Sequence, residues 1–303
     1  MPFIKCNNSN IYYEIKGDLN SPLVVIMNGL TQNTSFWDIQ TDYLANFGLS
    51  SLTYDMPGQG KSFKPVLGVS FESNCDILHS LLTHLNVREA YVSGISFGGV
   101  SALQFAIKYP KMVKGLITMS SFSEMDEQLW KIGVNLYNGL TKVGMGMLID
   151  LLLPINLSSD FLSKNSEKLN KLRKISMSKN SVFAIQNLME AIFNFKSFTN
   201  ELYKIECPTL ILNGEYDYLT PRWCHELIRK NVKNSRLVII QNAFHAFTIE
   251  YPEIVNRLYS EFIESVESGN WSGDQTVWAA NKNIESDEFL LKINGDHTRN
   301  IQI

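Results

Sequence analysis

Short apolar runs alternate with stretches of helical periodicity through the amino-terminal part of the chain. Ile11 to Ile15 and Leu23 to Met27 are the first two strand candidates, the second bounded by Pro22 and by Asn28-Gly29. An apolar run without polar alternation is the pattern of a strand buried on both faces. Ser51 to Asp55, Ala90 to Ser93, Gly115 to Met119, Thr209 to Leu212 and Leu237 to Ile240 repeat it, with helical segments between most of them. This order predicts an α/β fold, a mostly parallel central sheet joined by right-handed crossovers and flanked by helices. Between Ser123 and Ile205 the strand pattern stops and helical periodicity rich in Leu, Met, Phe, Lys and Asn takes over, which predicts an inserted helical cap. The last crossover helix is expected from Pro252 to Val266, with a boundary at Ser268-Gly269-Asn270. The expected organisation is therefore a core of 1–122 and 206–267, a cap of 123–205, and a carboxy-terminal extension of 268–303 that holds Trp271, Trp278 and a strand-like Phe289 to Ile293.

Composition narrows the function classes. A chain of 303 residues, 45% apolar, can bury one large core. A net charge of -3 gives no global basic field for nucleic acid or an anionic membrane, so a small-molecule substrate is expected. The first ten residues lack the apolar core of a signal peptide. Cys6, Cys75, Cys207 and Cys224 form no C-x-x-C pair and no metal spacing, so reduced thiols, a cytoplasmic location and neither metal nor cofactor are expected. The longest apolar stretch, Gly139 to Leu157, is interrupted by Lys142, Asp150 and Pro154 and falls short of a membrane span.

The candidate chemistry begins at Gly94-Ile95-Ser96-Phe97-Gly98, which lies between the strand ending near Ser93 and a helix starting near Val100. That is the strand, sharp turn and helix context of a G-x-S-x-G elbow. A nucleophile at so tight a turn needs strained dihedrals and small residues two before and two after it, and Gly94 and Gly98 supply the clearance. Ser96 then projects near a helix amino terminus, where backbone N–H groups favour a developing oxyanion.

From about residue 10 to 265 the chain resembles the α/β-hydrolase fold family, whose triad runs in the order serine, acid, histidine. The resemblance implies Ser96 as nucleophile and Asp217, just past the strand Thr209 to Leu212, as acid, with Glu215, Glu124 and Asp126 as alternatives. His245, in the loop after Leu237 to Ile240, matches the family base, and His297 in the tail is the other candidate. His79 and His84 sit on a helix before the elbow, and His225 lies inside the helix after Asp217. The family oxyanion hole implies the backbone N–H groups of Phe97 and Leu30, with Asn28 standing where many relatives have histidine. A serine at the elbow separates the chain from relatives with an aspartate there and leaves acyl transfer from an ester or thioester.

Asp55-Met56-Pro57-Gly58-Gln59-Gly60-Lys61-Ser62 misses a phosphate-binding loop by one residue, having Asp55 where glycine is needed, and matches instead the family turn D-x-P-G-x-G-x-S. Fragments at Asn28-Gly29, Thr34-Ser35-Phe36, Gly60-Lys61-Ser62, Ser120 to Ser123, and Asn213-Gly214-Glu215 with Asp217 and Thr220 resemble hydroxyacyl carrier-protein thioesterases and transferases. Lys164, Lys168, Lys171, Arg173, Lys174 and Lys179 cluster in the cap, a docking site for an acidic acyl carrier protein or coenzyme A, or else a solvated helix face. Asn28, Met145 and Phe161 are expected to line the substrate pocket. The function expected is a serine hydrolase of carboxylic esters or thioesters. The alternatives are a hydroxyacyl transferase or thioesterase acting on a carrier-protein or CoA thioester, and a non-catalytic binder on the same fold.

Overall fold

The computed structural model describes residues 3–6, 9–65 and 68–293. Strands β1 (Phe3–Cys6) and β2 (Ser9–Lys16) form an antiparallel hairpin at one edge of the sheet, and β3 (Leu23–Met27) is buried along its whole length. After a 3-10 turn at Thr34–Trp37 come α1 (Asp38–Asn46), β4 (Ser50–Tyr54), α2 (Phe71–His84), β5 (Ala90–Ile95), α3 (Phe97–Lys108) and β6 (Val113–Met119). The chain then leaves the sheet for α4 (Glu127–Lys142), α5 (Met145–Asn156), α6 (Ser159–Lys164), α7 (Ser166–Lys179) and α8 (Val182–Phe193). It returns through β7 (Thr209–Gly214), α9 (Arg222–Asn231), β8 (Ser235–Ile240), the short α10 (Phe247–Glu250), α11 (Pro252–Glu267), β9 (Asp274–Ala280) and β10 (Leu290–Ile293).

The ten strands lie in the order β1-β2-β4-β3-β5-β6-β7-β8-β9-β10. Pairings from β4 through β9 are parallel, while β1, β2 and β10 join antiparallel at the two ends. Strands β3, β4, β5 and β7 have no exposed position because helices cover both faces: Val25, Leu52 and Val92 face one apolar cluster with α2 and α3, and Val24, Tyr91 and Leu212 face the other with α1 and α11. This double cover explains the unbroken apolar runs in the sequence. The segment 268–303, expected as an extension, re-enters the sheet as β9 and β10 in its described part.

The apolar stretch Gly139 to Leu157 breaks at Gly144, whose φ of +116° ends α4 and starts α5. Among the described residues no helix is long and apolar enough to cross a membrane. The cap is tied down at the carboxyl end of α5, where Asn156 O accepts the Ala246 N–H at 2.9 Å and Glu250 accepts from the Ser158 N–H (3.1 Å) and hydroxyl.

The near-phosphate-loop is a structural turn. The buried Asp55 carboxylate accepts the N–H groups of Thr34 (2.8 Å) and Lys61 (2.7 Å), so the side chain that broke the motif closes the loop. Burial pushes this carboxyl above its ordinary range.

Candidate active site

Ser96 stands between β5 and α3 at φ +53° and ψ -118°, a left-handed conformation that costs a non-glycine residue roughly 1–3 kcal/mol and persists only where its surroundings enforce it. The enforcement is visible. A Cβ on Gly94 would sit 2.3 Å from the Gly98 carbonyl oxygen, and one on Gly98 would sit 2.3 Å from that of Met27, so the turn closes only with glycine at both positions. The Ser96 N–H donates to Met119 O at 2.9 Å and its carbonyl accepts the Val100 N–H at 3.0 Å, fixing the backbone on both sides.

Asp217 follows β7 through a tight turn and is 4% exposed. Its carboxylate accepts the N–H groups of Leu219 (2.9 Å) and Thr220 (2.8 Å), the Thr220 hydroxyl (2.8 Å) and His245 Nδ1 (2.9 Å to Oδ2). Burial alone raises its pKa, but the facing His245 and these hydrogen bonds outweigh it and hold the carboxyl below its ordinary range. His245 lies in the loop after β8, is 5% exposed, and spends Nδ1 on Asp217, which leaves Nε2 for the cavity that both His245 and Ser96 line. Its carbonyl accepts the hydroxyl of Ser120 at 3.0 Å, a contact from the end of β6. No Ser96 to His245 hydrogen bond is formed among the described residues, and such bonds commonly tighten only with substrate bound.

The rival residues are engaged elsewhere. Glu215 accepts the Asn242 N–H, Glu124 accepts the Thr199 hydroxyl, and Asp126 caps α4 through the Leu129 N–H. His79 stacks on Tyr109 with ring centroids 4.4 Å apart, His84 is exposed in the last turn of α2, and His297 lies outside the described residues. His225 is fully buried, and its Nε2 accepts the Ser121 N–H at 2.9 Å. That acceptor role puts the ring proton on Nδ1, facing Pro221 O at 3.4 Å, and burial pushes its pKa down to about 4.

Phe97 is the first residue of α3, so its N–H has no partner within the helix. Leu30, the second donor expected from the sequence, is on a loop held from below: Gln59 Nε2 donates to Gly29 O (2.8 Å) and Leu30 O (3.3 Å), and Gln32 Oε1 accepts the Gly29 N–H (2.8 Å). Gln32 and Gln59 were not singled out from the sequence, although Gln59 occupies a variable position of the D-x-P-G-x-G-x-S turn. Asn28 donates to Tyr54 O and Gln59 and accepts from Trp37 Nε1 at 2.8 Å.

The pocket expectations need correction. Asn28 is fully buried beneath the loop, and Met145, at the first residue of α5, is 5% exposed and packed in the core. Phe161 sits on α6, past the turn that ends α5, and does not line the cavity either. The cavity, about 270 Å³, is walled from the cap by one stripe of α5 (Ile149, Leu152, Leu153 and Asn156) together with Leu129, Leu136 and Phe193, and it reaches Ser96 and His245 at its floor.

Residues 20–252 match the family described as serine aminopeptidase, S33. The chain is 29% identical to a proline iminopeptidase of Saccharolobus solfataricus over 290 residues, covering 86% of this chain and 91% of that protein. It is 24% identical to a putative carbamate hydrolase RutD of Pantoea ananatis, covering 84% and 93%. The crystal structure of an α/β-hydrolase enzyme, MGS-M2, from a Medee basin deep-sea metagenome library is similar with a TM-score of 0.80 and 30% identity, covering 86% of this chain and 97% of that one. The finer resemblance to carrier-protein thioesterases finds no support in these similarities. Several of its fragments, Asn28, Ser62 and Thr220, are occupied in building turns and loops.

Proposed function

The chain belongs to the serine aminopeptidase S33 family of α/β-hydrolase enzymes, and from that premise we propose that it hydrolyses carboxylic esters of apolar acyl groups through an acyl-enzyme on Ser96. The observation that carries the reading is the buried Asp217 to His245 pair facing the same cavity as a serine strained into an elbow. His245 Nε2 accepts the Ser96 proton as Oγ bonds to the acyl carbon, while Asp217 holds the tautomer and stabilises the imidazolium. The Phe97 and Leu30 N–H groups receive the charge that develops on the carbonyl oxygen. The proton on His245 then passes to the leaving alkoxide as the C–O bond breaks. In the second half water gives its proton to His245, its oxygen bonds to the acyl carbon, and Ser96 departs reprotonated with the free acid as product.

The walls of the cavity favour an apolar acyl group over a charged one, since Leu, Ile, Met and Phe side chains make up most of them. Thioesters undergo the same chemistry and are a second substrate class for the same residues. The test is labelling with a fluorophosphonate followed by a panel of p-nitrophenyl esters and acyl thioesters. Wild type is expected to label and to prefer acyl chains longer than acetyl, and Ser96→Ala to do neither. Labelling of Ser96→Ala at the wild-type rate would overturn the assignment.

A further inference from the structure

Helix α7 is the least anchored wall of the cavity. Among its residues whose exposure is described, none is buried. At 100° per residue, Leu169, Leu172, Arg173 and Ser176 share the face that lines the cavity, which turns Lys171 and Lys174 outward and leaves Lys168 and Met177 at the borders. Among the described residues an ion pair ties this helix to α5: Arg173 Nε and one terminal nitrogen each donate to Asp150 at 2.6 Å. Met177 lies beside Gly146 at the start of α5, and Met147 beside Gly139 of α4, so the outer surface of α7 runs on to the α4 to α5 turn.

That surface is apolar and basic together. Val143 is 71% exposed, Met177 44%, Leu172 41% and Met147 39%, a group of large apolar side chains left in water. Around them Lys142, Lys168, Lys171 and Lys174 are exposed. The acids of the segment are already matched, Asp150 by Arg173, Asp160 by Lys164 and Glu167 by Lys171. Between Lys142 and Lys179 there are seven basic and three acidic residues, net +4, so with -3 for the whole chain the remainder carries -7.

We propose that this face of the cap docks on an anionic lipid surface and takes its acyl substrate from there. The apolar side chains enter the headgroup layer, the lysines meet its negative charge, and the strongly acidic remainder of the molecule is turned away. Leu172 lines the cavity and is 41% exposed, so the apolar interior reaches solvent at the edge of the docking face. Anionic headgroups compete with Asp150 for Arg173, which loosens the ionic tie between α7 and α5. An acidic carrier protein would satisfy the lysines but leave Val143, Met147 and Met177 without apolar partners, which is why the lipid surface is favoured.

The substrate source rests on the hydrolase reading, whereas the docking does not, so binding is measured on the full chain and on Ser96→Ala alike. Co-sedimentation with phosphatidylcholine vesicles, with and without phosphatidylglycerol, is expected to pull down both proteins only with the anionic lipid and less at high salt. Each lysine near such a surface strengthens partition roughly fivefold, so Lys168→Glu, Lys171→Glu and Lys174→Glu together should lose at least ~100-fold. Val143→Ser with Met177→Ser should weaken binding at unchanged charge, and unshifted melting temperatures would show both variants folded. Wild type remaining in the supernatant with anionic vesicles, or a triple variant that still binds them as wild type does, overturns the proposal. Binding of an acidic carrier protein without any vesicle binding overturns it in favour of a protein partner.

Discussion

Neutral His225 holds the end of β6 to α9, and acid should release it. In the folded protein its Nε2 accepts the Ser121 N–H, so a proton there would set donor against donor in a fully buried site. The folded pKa of about 4 lies below the ordinary histidine value of 6.5, so below pH 6.5 the unfolded chain takes up a proton that the folded chain refuses. Stability from this residue is therefore fully present above pH 6.5, falls as the pH drops, and levels off below about 4. The gap corresponds to about 3 kcal/mol in full, of which about 2 kcal/mol is lost between pH 7 and pH 5. His225→Gln keeps an acceptor for Ser121 but does not titrate. Urea unfolding at pH 7, 6 and 5 should show the variant losing about 2 kcal/mol less than wild type across that interval, even if it starts less stable. Equal pH slopes for the two proteins would mean that His225 does not resist protonation and that the acid sensitivity lies elsewhere.

Asp217→Asn should keep the loop folded, because the amide oxygen can still accept from Leu219 and Thr220, yet lower kcat by about 10⁴ as the histidine loses its tautomer. A loss under tenfold in steady-state ester hydrolysis would move the acid to another residue. Gly94→Ala places a Cβ 2.3 Å from the Gly98 oxygen and should destabilise by about 3 kcal/mol or more while abolishing fluorophosphonate labelling, which thermal melts and gel fluorescence would read. Ser120→Ala frees the His245 carbonyl and should reduce kcat more than it raises KM, with a stability loss near 1 kcal/mol; an unchanged kcat would show that the β6 contact does not position the histidine.

The parallel strands were legible because both faces are covered, so their apolar runs are unbroken, and the elbow was legible because sterics admit only glycine at two positions. Four-residue β1 was missed since its alternation of exposed and buried residues is too short to stand out. Strand β9 was missed because Asp274, Gln275 and Thr276 open it with polar side chains that bond locally and to α9. The order serine, acid, histidine of the proposed triad is readable along the chain, but which side chains line the cavity depends on how α5 rotates against the sheet. Met145 and Asn156 lie on the same helix, and only the second reaches the cavity. Asn28 misled for a related reason: its neighbour in sequence borders the site, while its own side chain points beneath it to Trp37.

The match to the S33 family ends at residue 252, and a boundary signal follows at Ser268, so an expression experiment guided by sequence would trim the chain there. Strand β9 lies parallel against β8 from Ser235 to Ile240, and Gln275 Nε2 reaches across to the carbonyls at the end of α9, at 2.9 Å from Arg229 O. Cutting at 267 would strip the partner from one side of β8 and leave its N–H and C=O groups as a template for other chains. The trimmed protein would be expected to self-associate through that bared edge while keeping the Asp217 to His245 pair intact, and an investigator who saw it precipitate would blame the cap's exposed apolar surface when the fault lay along the bared side of β8.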